Sequence, residues 1–71
     1  MDVFKIRQAY EEGKAEHLYS VEFPDGGDYD VYFLGYKYYL VESNFERIVN
    51  VEVSPGAMTD FILLHRGYKI R

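Results

Sequence analysis

The chain contains no cysteine and only two prolines. Without cysteine, neither a disulfide nor a thiolate zinc site can hold the fold together. No apolar run reaches the ~18 residues that a membrane-spanning helix needs, and no signal-peptide pattern is present. We therefore expect neither a membrane span nor export. The absence of cysteine agrees with a cytoplasmic protein.

Basic residues are also scarce: 8 Lys and Arg stand against 12 Asp and Glu, which gives a net charge of −4. This balance argues against a general nucleic-acid binder, whose affinity depends on neutralising phosphates. Hydrophobic residues make up 48% of the 71-residue chain and aromatic residues 18%. Each buried ring removes roughly 150–250 Å² from water. We therefore expect one small folded domain, residues 1–71, which a second copy could stabilise further.

One stretch, residues 28–43, is rich in aromatic residues and holds Phe33 and five of the eight tyrosines. Alternating apolar residues and turn signals predict four strands in succession. Their predicted ranges are 17–23, 28–34, 37–43 and 46–53. The turn between the first two strands is predicted at Asp25-Gly26-Gly27, with Gly27 in the left-handed conformation. Gly35-Tyr36 and Asn44-Phe45 are predicted to form the next two turns, although Phe45 adopts a positive φ poorly and that loop could be longer.

These turns give one consistent register. Phe23 is predicted opposite Tyr29, Val31 opposite Leu40, and Glu42 opposite Arg47 at the edge. One face of the sheet then becomes continuously apolar: Tyr19, Val21, Phe23, Tyr29, Val31, Phe33, Tyr38, Leu40, Val49, Val51 and Val53.

Two helices are predicted to flank the strands. Residues 2–12 carry an apolar stripe, with Asp2 as N-cap and Gly13 after the last turn. Residues 57–66 fit a helix by spacing, but a strand from Asp60 to His65 that turns into residues 68–70 is the alternative. The predicted fold class is α+β: a four-stranded antiparallel β-meander with a C-terminal helix and an N-terminal helix packed on the apolar face.

The other face of the sheet carries two unusual features. Tyr32 lies opposite Tyr39 at its centre, with Val41 and Ile48 one step along. Glu22 is predicted opposite Asp30, a like-charge pair that destabilises a sheet. We interpret these six residues as a partner-binding surface. Ordinary cross-strand packing, or cover by the C-terminal helix, are the alternatives.

No motif for chemistry stands out. The chain lacks a nucleophile elbow, a phosphate-binding glycine loop before a helix, and the order of oxygen ligands of a calcium loop. His17 and His65 are isolated in the sequence and are interpreted as structural. We expect no catalytic residue, no cofactor, no bound metal and no small-molecule substrate.

The composition favours a small acidic, non-enzymatic protein-interaction module. Its partner would be another protein, including the basic surface of an inhibited or regulated enzyme, or a second copy of the chain. The alternative hypothesis is a nucleic-acid-binding module that uses the basic tail, residues 65–71, together with exposed tyrosines.

Overall fold

The structure is a computed structural model that describes the backbone of residues 1–65 and 69–70 and the side chains of residues 1–64. Five strands form one antiparallel sheet in the order β4-β3-β2-β1-β5. The predicted α+β class and the meander of the first four strands are confirmed, and β5 adds a fifth strand beside β1. The elements are α1 (Val3–Glu11), β1 (Glu16–Glu22), β2 (Asp28–Leu34), β3 (Lys37–Glu42), β4 (Ile48–Glu52), α2 (Pro55–His65) and β5 (Lys69–Ile70).

The helix α1 begins and ends as predicted. The Asp2 carboxylate accepts a hydrogen bond from the Lys5 amide at 3.1 Å, which satisfies one of the free donors of the first turn. After the last turn, Gly13 has a φ of +77°, a conformation that costs a residue with a Cβ atom more than it costs glycine.

The second predicted helix is confirmed, but it starts two residues earlier than expected. Ser54 is its N-cap, because the Ala57 amide donates to Ser54 Oγ at 3.1 Å. Pro55 follows at the first helical position, where its fixed φ fits and its missing N–H is not needed. The signal that the prediction missed was therefore the Ser54-Pro55 pair.

The turn between β1 and β2 lies one residue earlier than predicted. The Gly26 amide donates to the Phe23 carbonyl and the Phe23 amide to the Gly27 carbonyl, both at 2.9 Å. Gly26, with a φ of +89°, is the left-handed residue instead of Gly27. The cause is Pro24, whose ring favours the second position of the turn. The pairing shifts in consequence, so that Tyr29 lies opposite Val21 and not opposite Phe23.

The register of β2 and β3 is confirmed, including Val31 opposite Leu40 and Tyr32 opposite Tyr39. The next pair of strands contains a β-bulge at Val49, which sets Asn50, not Val49, opposite Leu40. The predicted edge pair is present, with Arg47 Nε donating to Glu42 Oε1 at 3.3 Å.

The sheet is covered on both faces, and the helices occupy them in the opposite way to the prediction. Met58 and Ile62 of α2 pack on the predicted apolar face, against the buried residues Val21, Phe23, Tyr29, Val31 and Leu40. Val3 and Ile6 of α1 pack on the other face. The face that α1 covers is apolar at its centre, so its burial also stabilises the fold. Because α2 already covers the predicted apolar face, α1 packs on this one.

This arrangement corrects the predicted surface. Tyr32, Tyr39 and Val41 are 4%, 6% and 0% exposed, because α1 lies over them. The expected exposure of these three residues is therefore wrong, and they belong to the core. Ile48 is half-buried against the same cluster.

Candidate functional site

The two acidic residues of the predicted surface are not paired with each other. The shifted turn sets Glu22 opposite Asp28 and Asp30 opposite Ser20. The predicted like-charge pairing of Glu22 with Asp30 is therefore wrong, because Pro24 shifts the turn by one residue and changes the register of the two strands. A like-charge pair remains at this end of the sheet, because Glu22 and Asp28 are both acidic. Glu22 also lies opposite Lys69 of β5.

Asp30 is the centre of a polar cluster on the α1 side of the sheet. Ser20 Oγ donates to Asp30 Oδ1 at 2.6 Å, and His17 Nε2 lies 2.9 Å from the same oxygen. Burial raises the pKa of Asp30, but the hydrogen bonds from Ser20, His17 and Ser43, together with the charge of His17, outweigh it and lower that pKa.

A second β-bulge, at Leu18, brings His17 into this cluster. It sets His17 opposite Tyr32, whereas strict alternation from Tyr19 would turn the ring to the α2 side. Leucine at position 18 does not indicate a bulge, whereas a glycine or proline there would have done so. The prediction that His17 is structural agrees with the observed contacts, but its partner could not be identified from the sequence.

The cluster resembles a nucleophile–base set in composition but not in geometry. In such a set, a serine and a carboxylate contact different nitrogens of the histidine ring. Here the same ring nitrogen, His17 Nε2, contacts both Asp30 Oδ1, at 2.9 Å, and Ser20 Oγ, at 3.3 Å. The Ser20 proton is directed to Asp30, so the serine is not activated. The arrangement ties β1 to β2 and does not position a nucleophile.

Aromatic rings extend this cluster towards α1. The ring of Tyr32 makes edge-on contacts with Tyr10 at 5.2 Å and with His17 at 5.3 Å, and it lies 5.7 Å from Phe45. Burial, together with the charge of Asp30 and the neighbouring Tyr10, raises the pKa of Tyr32 to about 12. The phenol therefore remains neutral at physiological pH and is not poised for proton transfer.

Two open depressions flank the β3–β4 turn at Ser43 and Asn44. One, of about 330 Å³, lies against Arg7, Tyr10 and Glu11 of α1 and Phe45. The other, of about 290 Å³, is lined by Gly27, Asp28, Tyr29 and Glu42. Neither is enclosed, and among the described residues no group of three or more His, Cys, Asp or Glu could hold a metal ion.

The outer edge of β4 has no strand beside it in the part of the chain that the structure describes. β4 is the last strand of the sheet on one side. Val51 is 41% exposed and Val53, the residue after the strand, is 74% exposed. Val51 lies opposite Tyr39 on the α1 side, whereas Asn50 and Glu52 lie opposite Leu40 and Tyr38 on the α2 side.

Other exposed apolar residues lie near the end of α2. Leu63 and Leu64 are 43% and 79% exposed. The chain continues from there into residues 66–68, which lie outside the described residues. The side chains of the predicted nucleic-acid-binding tail, residues 65–71, lie outside them as well.

Comparison of the chain with protein-family models, with curated proteins and with solved structures found no match. None of the described helices has the length and apolar character that crossing a membrane requires.

Proposed function

We propose that this chain is a small protein-interaction module that binds an extended polypeptide segment along the outer edge of β4. The observation that carries the proposal is the position of Ile48–Glu52 at the end of the sheet, followed by the exposed Val53.

An edge strand offers a row of backbone donors and acceptors on the side away from its neighbour. A peptide that adds to such an edge gains affinity from main-chain hydrogen bonds and specificity from alternate side chains. On β4, an added strand would meet Val51 on the α1 side and Asn50 and Glu52 on the α2 side. The edge thus offers an apolar contact and a polar contact at the same time.

The composition of β4 favours pairing over protection. Proteins usually protect an edge strand with Lys, with Pro or with a bulge. β4 reads Ile-Val-Asn-Val-Glu, which contains neither Lys nor Pro and has three β-branched aliphatic residues. The bulge at Val49 is a protective device, but it leaves residues 50–52 regular.

We further propose that the module is non-enzymatic and cytoplasmic. The polar cluster at Asp30 lies on a sheet covered by a helix, and its serine proton is directed to the carboxylate. The absence of cysteine agrees with a reducing compartment. The net charge of −4 attracts a basic segment and repels an acidic one, so a segment without basic charge has to be held by backbone pairing and apolar contact.

A peptide-display selection tests the proposal without a known partner. The chain is used as bait for a library of random peptides, and each selected peptide is titrated into the ¹⁵N-labelled protein. We expect extended peptides that shift the amide signals of residues 48–53 most strongly, and Val51→Pro should abolish binding because proline removes a donor and disrupts strand pairing.

The control is Tyr36→Lys. Tyr36 lies in the β2–β3 turn and is 91% exposed, so this substitution leaves β4 intact and the variant should bind peptides normally. Failure to select any peptide, or selected peptides that shift only the α1 surface or the depressions at Ser43, would refute the binding of a segment from another protein at β4.

A further inference from the structure

We infer that the segment that adds to β4 is β4 of a second copy, which gives a symmetric dimer with one sheet continuous across the two chains. This inference rests on the proposed function, because it names the occupant of the same edge. Closed two-fold symmetry is the commonest arrangement of homo-oligomers. Two antiparallel edge strands satisfy it when the two-fold axis is perpendicular to the sheet.

The side chains of β4 select one register. With the axis at Val51, the Val51 side chains of the two copies meet on the α1 side, where each is 41% exposed in a single chain. Asn50 then lies opposite Glu52 of the second copy, twice. Within one chain, Asn50 Nδ2 already donates to Glu52 Oε2 at 2.8 Å, and the same amide and carboxylate would face each other across the dimer.

The bulge extends this complementarity. Because Val49 and Asn50 both lie on the α2 side, Ile48 is the next residue on the α1 side after Val51. Val53 of the second copy, 74% exposed in a single chain, would therefore lie beside Ile48. The α1 side of the interface becomes entirely apolar.

Neighbouring registers are less favourable. An axis at Glu52 would set two carboxylates against each other, which destabilises a strand pair. Counted through the bulge, an axis at Asn50 would set Ile48 opposite Val51 and would leave Glu52 and Val53 beyond the start of β4 of the second copy, which shortens the paired region. The interface is short, so we expect a weak dimer that forms as the protein concentration rises.

Sedimentation velocity over a range of concentrations tests the inference on the full chain. We expect the wild type to move from monomer to dimer as its concentration rises. Val51→Lys should remain monomeric at concentrations where the wild type is dimeric, because two ammonium groups would meet at the axis. Tyr36→Lys is the matched control, since it adds the same charge at a site that is 91% exposed and lies in the β2–β3 turn, outside the outer edge of β4; it should dimerise as the wild type does.

Cross-linking tests the register, and it also serves if Val51→Lys fails to fold. The chain has no cysteine, so Val51→Cys carries a single thiol. Residues directly opposite in an antiparallel pair have Cα atoms about 4.5–5.5 Å apart, within the range of a disulfide. Oxidation should therefore produce a covalent dimer of Val51→Cys much faster than of Tyr36→Cys.

A wild type that remains monomeric throughout, a Val51→Lys variant that dimerises normally, or equal cross-linking of the two cysteine variants would each overturn the dimer. If the chain stays monomeric but peptides bind at β4, the proposed function stands and only the identity of the occupant, a second copy, is wrong. A chain that fails both experiments would refute the proposed function as well.

Discussion

Asp30 is the residue in which sequence position and role differ most. It was predicted to contribute charge to a binding surface, and it instead accepts hydrogen bonds from two residues of β1 within the sheet. Its carboxylate joins β1 to β2 at the point where the bulge at Leu18 interrupts regular pairing. Its ionisation should therefore affect the stability of the fold.

We predict that Asp30→Asn lowers the free energy of unfolding at neutral pH by about 1–2 kcal/mol, the cost of weakening hydrogen bonds to a charged group. Because the pKa of Asp30 is lowered on folding, the unfolded chain binds its proton more readily. The stabilisation is therefore present above about pH 4, the ordinary value for aspartate, and is lost as the pH falls through the lower pKa of the folded state. Denaturant titrations from neutral to acidic pH measure both effects.

The Asp30→Asn variant should accordingly lose less stability on acidification than the wild type. Glu46→Gln, which removes an exposed carboxylate from the β3–β4 turn, is the control and should follow the wild type. Parallel pH profiles for Asp30→Asn and the wild type would contradict the role of the charge.

Tyr32 gives a second prediction, at alkaline pH. Its pKa is raised to about 12, so the folded state favours the neutral phenol. The stabilisation is present below about pH 10, the ordinary value for tyrosine, and is lost as the pH rises through about 12. Tyr32→Phe keeps the ring and removes the ionisation, so its thermal unfolding should be less sensitive to pH in this interval, by an amount on the order of 2 kcal/mol.

Circular dichroism melts at a series of alkaline pH values measure this difference. Tyr36→Phe removes a phenol that is 91% exposed and should behave as the wild type does. If Tyr32→Phe lost stability with pH as steeply as Tyr36→Phe, the burial of Tyr32 beneath α1 would be in doubt.

At the scale of elements, α1 provides a direct test of which face it covers. Ile6 is fully buried against Tyr32, Tyr39 and Val41, whereas Phe4, two residues away, is 69% exposed. We predict that Ile6→Ala destabilises the protein by about 2–5 kcal/mol, because it leaves a cavity between helix and sheet. Phe4→Ala should change stability by less than about 0.5 kcal/mol. Chemical denaturation of the two variants measures the contrast.

The fluorescence of the tyrosines beneath α1 provides a second measurement, since loosening the helix exposes Tyr32 and Tyr39 to water. If Phe4→Ala were the more damaging change, the orientation of α1 on the sheet would be wrong.

The strands show what the sequence could and could not predict. Period-two alternation identified β2 and β3 and paired them correctly, because a register slip by one residue would move every apolar side chain to the other face. The bulges at Leu18 and Val49 were not predictable, since neither position carries glycine or another local signal. Pro24 did carry a signal, because its ring favours the second position of a turn. Placing Pro24 there would have predicted the β1–β2 turn at the position that the structure shows.

At the scale of the whole molecule, the sequence predicted two helices and one sheet, but it assigned the N-terminal helix to the wrong face. Val3 and Ile6 of α1 and Met58 and Ile62 of α2 are similar apolar pairs, so composition does not distinguish them. The aromatic centre at Tyr32 is compatible with an exposed surface and with a core. Only the packing of α1 over Tyr32 decides between an exposed surface and a core. Because this packing buries the centre of the face, the candidate site lies at the edge of the sheet.

The net charge of the whole chain predicts how its association depends on salt. Two copies that each carry −4 repel one another, and the contacts proposed at β4 are apolar or pair an amide with a carboxylate, so screening should strengthen the dimer. The Debye length falls from about 10 Å at 0.1 M salt to about 3 Å at 1 M. We therefore expect the dimerisation constant to rise roughly two- to fivefold over this range, as measured by sedimentation equilibrium.

Glu16→Lys is the matched variant, because it replaces a negative by a positive charge on the exposed start of β1, which β2 and β3 separate from β4. By reducing the repulsion between copies, it should strengthen the dimer at low salt and flatten its dependence on salt. A dimer that weakens as salt is added would mean that opposite charges hold it together, and β4 in the register centred on Val51 supplies no such pair. The opposite dependence is expected for a basic partner protein, whose attraction to the acidic chain is screened, so the sign of the salt effect distinguishes the two kinds of partner.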